Sequence, residues 1–265
     1  MLITGSIVVL ILGLLLFTRY RFDNMVSQER DALFDYELLT EVIEERDLDS
    51  FPEIMRRYLV KAGVIGKARY SHVVFQQRGA IQKGETGKWI SFTANQYMST
   101  GNPGFIWKAN AFPMMVRDKY AFGKGEVRIS LLGLKNVEVA SSYETHQSSL
   151  GRYFGELLWF PIGFLDEDIS WMAIDNTTVK GTITKDGISF EGYFYFDENG
   201  LIETFRGKRY RYKDMENFIG KATDYMQVSG LLIPKKMTAI WDLPEGPMEY
   251  FKAEISDYRI IEPTR

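Results

Sequence analysis

The sequence predicts an α+β fold in which a strongly curved antiparallel β-sheet, a half-barrel, wraps short helices behind an N-terminal transmembrane helix. Three observations lead there. Between Ala68 and Ile260 apolar residues recur with period two, interrupted at short intervals by turn residues. The stretch Ser148 to Trp171 departs from that rhythm: Leu150, Tyr153, Phe154, Leu157 and Leu158 fall at i, i+3, i+4, i+7 and i+8, one face of a helix. Finally, Leu2 to Phe17 carries no charge. The organisation expected is an anchor over residues 1–22, an acidic helical stalk over 23–49, and a single curved-sheet domain over 50–265 with its central helix near 148–160.

The anchor run is near the ~20 residues that span a bilayer, and Phe17-Thr18-Arg19 offers no small-residue cleavage site. An uncleaved single-pass anchor at the cell membrane is therefore expected in preference to a removed signal. Arg19 and Arg21 favour a cytoplasmic body, although two arginines leave the side open. In the stalk, Glu29, Asp31, Asp35, Glu37, Glu41, Glu44, Glu45 and Asp47 surround a helical stripe of Leu33, Phe34, Leu38, Leu39, Val42 and Ile43. A solvated amphipathic helix is the plain reading, a partner-binding helix the sharper one. Ser50-Phe51-Pro52-Glu53 reads as a capping box that opens a second helix ending at Gly63. Its Arg56, Arg57 and Lys61 form an outer charged face.

Beyond Gly66 the strands begin. Ala68–Gln77, Trp89–Tyr97, Gly104–Ala111 and Glu126–Leu132 precede the central helix. Trp171–Asp175, Thr177–Thr184, Ile188–Phe196, Leu201–Tyr212, Ala222–Val228, Lys236–Asp242 and Met248–Ile260 follow it. Turn residues punctuate them at Gly84–Gly87, Asn102-Pro103-Gly104, Gly123-Lys124-Gly125, Asp186-Gly187 and Asp197–Gly200. Ser148 or Ser149 can cap the central helix, and Pro161 ends it. A short apolar helix among strands has one place to go, the hollow of the sheet.

Composition excludes several functions. A net charge of −3 argues against nucleic-acid binding. The absence of cysteine rules out disulfides, thiolate metal sites and a cysteine nucleophile. With only His72 and His146, a histidine-rich metal centre is not expected, nor is any cofactor. No glycine–lysine pair is followed by Ser or Thr, and HExxH and GxSxG are absent. Asp166-Glu167-Asp168 reads as a solvated loop, and Asp197–Gly200, which lacks the ligand spacing and terminal glutamate of a calcium loop, as a β-turn. His72 reads as a hydrogen-bonded or exposed strand residue, and His146 as a group just ahead of the central helix. Arg206, Lys208, Arg209 and Arg211 alternate sides of one strand and make no continuous basic groove.

One constellation remains. Arg152 and Glu156 are i, i+4 neighbours flanked by Gly151 and Gly155, which keep that side of the helix flat. On an exposed face they form an ordinary ion pair. Facing the sheet, they form a polar contact point in a hydrophobic ligand pocket with Tyr153, Trp159, Trp171, Trp107 and Asp175. No catalytic residue is assigned.

The spaced residues Pro52-x-x-x-Arg56-Arg57-Tyr58-Leu59, Gly79, Trp89 and Gly104-Phe105-x-Trp107 form the first part of a recognisable pattern. It continues through Asp118-x-Tyr120-x-x-Gly123-x-Gly125, Leu150-x-Arg152-Tyr153-x-x-Glu156 and Trp159-x-Pro161. Trp171-x-x-x-Asp175, Pro234 and Trp241 close it. In this order they resemble a bacterial family of uncharacterised proteins, a domain of unknown function, over Phe51 to the C-terminus. That resemblance implies no activity and no catalytic residues. The strand pattern around one aromatic helix is similar to the half-barrel of lipoprotein-localisation factors and related lipid carriers. The function expected is a membrane-anchored, non-enzymatic binding module for a lipid-like or other hydrophobic ligand. Two alternatives stand beside it: a hydrolase using Asp118, Asp175 or Glu156 as general base, and a structural or partner-docking protein at the membrane surface.

Overall fold

The computed structural model describes residues 2–36, 41–82 and 87–261, with side chains from residue 9 onward. Among these residues, thirteen antiparallel strands form one curled sheet, a half-barrel. A first meander comprises β1 (His72–Gln82), β2 (Trp89–Ser99), β3 (Gly104–Ala111), β4 (Met114–Ala121), β5 (Lys124–Leu131) and β6 (Lys135–Ala140). A second comprises β7 (Ile169–Ala173), β8 (Thr178–Lys185), β9 (Ile188–Phe196), β10 (Ile202–Arg211), β11 (Asp214–Val228), β12 (Leu231–Leu243) and β13 (Gly246–Ile261). β1 pairs with β13, His72 opposite Ile261, so the two meanders join at mid-sheet and β6 and β7 are left as the edges.

Residues 141–168 carry the chain from one edge to the other, and they contain the central helix. It runs from Tyr143 to Glu156 (α3 here, after two earlier helices) and continues as 3-10 turns at Leu157–Trp159 and Pro161–Leu165. The helix starts earlier than Ser148 because Ser142, in extended conformation, supplies the cap to the Thr145 amide. His146 is therefore inside the helix, where its Nδ1 lies 3.0 Å from the Gly125 carbonyl. Leu150, Tyr153, Phe154, Leu157 and Leu158 are all 0% exposed, so the helix lies in the concave face as expected. Burying these five side chains is worth about 10 kcal/mol before ordering entropy is subtracted. Gly151 and Gly155 set how closely the helix approaches the sheet: an added Cβ would lie 2.2 Å from the Phe190 ring and 2.8 Å from Phe205.

Two-residue hairpins hold the meanders in register. Asp186-Gly187 turns with φ of 49° and 78°, and Phe122-Gly123 with 52° and 72°, the left-handed pair that matches strand twist. The turn expected at Gly123–Gly125 is thus one residue earlier. The turn expected at Gly84–Gly87 lies, apart from Gly87, outside the described residues. β4 and β6 are strands that the sequence reading did not assign.

The N-terminal helix (α1, Leu2–Phe34) differs from the expected anchor plus stalk. It is one continuous helix whose second half docks on the convex face of β3–β5. Phe22, Val26 and Leu33 pack with Ile106, Met115 and Ala121. Asp23 pairs with Lys108 at 2.7 Å, and Glu29 with Lys119 at 2.7 Å and Arg117 at 3.0 Å. Arg117, whose side chain is fully buried, also pairs with Glu126. Burial opposes the Glu126 charge, but Arg117 and Arg128 hold its carboxyl below the usual value. Asp23 and Glu29 are docked rather than solvated, because the outer face of β3 offers Lys108 to the first and that of β4 offers Arg117 and Lys119 to the second. The helix stops at Phe34, whose ring stacks on His72 at 4.2 Å. Leu38 and Leu39 of the proposed stripe lie outside the described residues. Among the described residues no helix is long and apolar enough to cross a membrane. The run expected to span one is the protruding first half of α1, with Val9, Leu10, Leu16 and Phe17 each more than half exposed.

The second helix (α2, Glu53–Ala62) ends at Gly63 as expected, with φ of 81°. The capping box at Ser50 does not form. Pro52 occupies the cap in extended conformation, so the first turn begins beyond the reach of Ser50.

Candidate functional site

Between α3 and the concave face lies a cavity of about 320 Å³, within the range of small-molecule pockets. Strand alternation determines what lines it. Trp107, Val116, Val127 and Ile129 point inward from β3–β5. Phe205, Phe218, Met237 and Ala239 do so from β10–β12, with Phe92 and Phe251 between the two walls. Across from them α3 presents Gly151, Arg152, Gly155 and Glu156, followed by Trp159. The surface is chiefly aromatic and aliphatic, with a few charged groups.

Most of those charges satisfy one another. Arg152 donates from Nε to Glu156 at 2.8 Å and from a terminal nitrogen to Asp118 at 2.6 Å. Its guanidinium lies 4.7 Å from the Phe105 ring centroid and 5.0 Å from that of Trp107, a cation–π seat. Burial works against the Arg152 charge, but Glu156 and Asp118 outweigh it and hold the guanidinium protonated. Glu156 accepts a second bond, from Gln96 at 2.6 Å. Gln96 in turn accepts from Gln77 at 3.3 Å, and Gln77 accepts from the Trp107 indole at 2.6 Å. A chain of polar groups thus crosses the pocket wall from β3 to β4 through α3.

Of the seven candidate residues, four come together. Trp107, Arg152, Glu156 and Trp159 line the cavity. Trp159 is anchored by its indole to the Pro234 carbonyl at 3.1 Å, while its own carbonyl accepts from Tyr258 at 2.7 Å. Tyr153 faces the opposite side of α3, stacked on Tyr120 at 6.2 Å, and burial pushes its hydroxyl well above the usual value. Trp171, half-buried, packs against Phe154, Phe164 and Phe194 at the margin of the core. Asp175 is an exposed turn residue that accepts from the Thr177 amide at 2.8 Å, and this bond holds its carboxyl below the usual value. These three stand outside the pocket because α3, β7 and the turn after β7 direct them toward other neighbours.

Asp166 and Asp168 both hold Lys185, at 2.9 and 2.5 Å. Among the described residues no group of three metal-ligating side chains comes together. Gln77, Gln96 and Arg209 belong to the site without being expected there from the sequence. Arg209 lines the cavity at 9% exposure, with its Nε donating 3.0 Å to the Ser148 carbonyl. The signal was present: Phe205, Gly207 and Arg209 share one face of β10, and Phe205 is plainly a core residue.

Among solved structures the chain is similar to a LolA superfamily protein from Nitrosomonas europaea. The identity is 10%, the match covers 80% of this chain and 94% of that one, and the TM-score is 0.44. It is also similar to a DUF1329 family protein from Desulfovibrio piger, with 11% identity, coverage of 81% and 92%, and a TM-score of 0.43. No curated protein matches the sequence. The motif residues from Pro52 to Trp241 all fall within residues 41–253, which match the model of a family of unknown function, DUF6544, and the chain belongs to that family.

Proposed function

We propose that this protein is a membrane-anchored, non-enzymatic binding module that holds the apolar part of a lipid-like ligand beside α3. The observation that carries this reading is the cavity itself: about 320 Å³ of space inside a curled sheet, walled by aromatic and aliphatic side chains. A cavity of ~150 Å³ lined in this way takes up benzene, and this one is about twice that size. Its carboxylates support binding over hydrolysis, since Asp118 and Glu156 are both committed to Arg152. Anchoring is supported by the exposed apolar side chains of Val9, Leu10, Ile11, Leu12, Leu14, Leu16 and Phe17, a patch that a chain in water rarely carries.

Native mass spectrometry of the protein purified in mild detergent tests the ligand. Co-purifying lipid that is released on denaturation is expected, and an interior free of guests under conditions that retain added dodecanol elsewhere would count against it. Cell fractionation tests the anchor. The full chain is expected in the membrane pellet and a chain lacking residues 2–17 in the supernatant.

A further inference from the structure

The four charged groups of the cavity are unequally placed. On the α3–β4 side Arg152 is shared by two carboxylates, Asp118 and Glu156, which gives that cluster a surplus negative charge. On the opposite wall Arg209 stands on β10. Its guanidinium lies 4.6 Å from the Phe218 centroid and 5.8 Å from that of Trp241, and its Nε is bound to the Ser148 carbonyl. No carboxylate among the described residues pairs with it, although Glu216 is its registered neighbour on β11. It is more than nine-tenths buried and lines the apolar cavity.

A buried charge is normally paired, and a cation left with aromatic faces and one carbonyl retains donors for an anion. We infer that Arg209 is the head-group site of the pocket, and that the ligand is an amphiphile whose anionic head, a carboxylate or a phosphate, docks on this guanidinium while its hydrocarbon chain fills the space toward Trp159. The planar fork of Arg209 suits either oxyanion, and the negative surplus around Arg152 repels the head from the far wall. This inference rests on the pocket reading above.

Dodecanoate, dodecyl phosphate and dodecanol share one chain and differ in the head, so their affinities for the full chain in detergent separate the possibilities. At least about tenfold tighter binding of one or both anions than of dodecanol is expected, the scale of a hydrogen bond to a charged group. Whichever anion binds more tightly identifies the head. In Arg209→Gln the anion advantage is expected to vanish while dodecanol binding persists, and dodecanol binding also reports that the variant has folded. Arg209→Lys is expected to keep part of the advantage, because the charge remains while the fork is lost. Equal wild-type affinity for all three overturns the anionic head yet leaves the pocket reading standing. An anion preference that survives in Arg209→Gln overturns the assignment to Arg209. No binding of any of the three overturns the pocket reading itself.

Discussion

Filling part of the cavity should strengthen the fold and weaken binding together. Gly220 on β11 lines the pocket, and an added Cβ would meet nothing nearer than Phe205 and Phe218 atoms at 3.8 Å. A leucine there has room to enter the hollow. Occupying roughly 100 Å³ of void, at about 24 cal/mol per Å³, would return at most about 2 kcal/mol. Replacing a strand glycine adds about 0.5–1 kcal/mol, and ordering the leucine removes a similar amount. Gly220→Leu should therefore gain about 1–2 kcal/mol, which in a chain of this size raises Tm by about 2–8 °C. The assay is thermal unfolding with and without dodecanol. The wild type should shift upward with ligand, because binding the native state alone stabilises it. The variant should start higher and shift less. A variant that unfolds earlier and binds nothing would mean that the site has no spare room. One that binds normally would place the ligand elsewhere, and either result refutes the reasoning.

Three further outcomes follow from the contacts around α3 and α1. Arg152→Met strands Asp118 and Glu156 in an apolar wall and should cost about 3–5 kcal/mol in urea unfolding. Adding Asp118→Asn and Glu156→Gln should recover most of that loss. Gly151→Ala drives a methyl into the Phe190 ring, 2.2 Å away, and should cost about 1–3 kcal/mol unless the ring can retreat. His72 supplies a pH dependence. Burial lowers its pKa from the ordinary 6.5, partly offset by its bond to the Phe34 backbone, so the folded chain takes up this proton less readily than the unfolded one. Its contribution to stability is complete above 6.5 and is lost as pH falls through the lower folded value. His72→Gln should flatten that limb of the stability–pH curve, and an unchanged slope would show that other groups carry it.

How much of this was legible depended on what each residue answers to. The curled sheet and the seated helix were readable because alternation and the i, i+3, i+4 stripe are local signals that tertiary contacts here reinforce. β3 was read to the residue because Asn102-Pro103-Gly104 marks its start and its residues are strand formers, although Ile106 on its outer face is buried under α1 as fully as Phe105 on the inner one. β4 was missed because its outer face is not polar in the ordinary way: Arg117 and Lys119 are there to meet Glu29 of α1, a partner almost 90 positions away. β6 was missed because it is an exposed edge with only Val137 and Val139 to mark it. The pairing of Arg152 with Glu156 followed from helix geometry, whereas Asp118 joined them only through the curl of the sheet. Arg209 was overlooked for a different reason. Among Arg206, Lys208 and Arg211 it looked like one more surface charge; its phase relative to Phe205 sets it apart from Arg206 and Lys208, while Arg211 shares that face at the strand's end.

The seam between β1 and β13 has a consequence for how the chain reaches this state. Every other pairing joins strands adjacent in sequence, so each meander can zip up from its own hairpins. The seam instead brings Val73 to Ile260 and must wait for nearly the whole chain. Until the last strand leaves the ribosome, β1 presents an open row of backbone donors and acceptors, the kind of edge that recruits strands from other molecules. A nascent chain stalled ahead of Gly246 should therefore be prone to self-association.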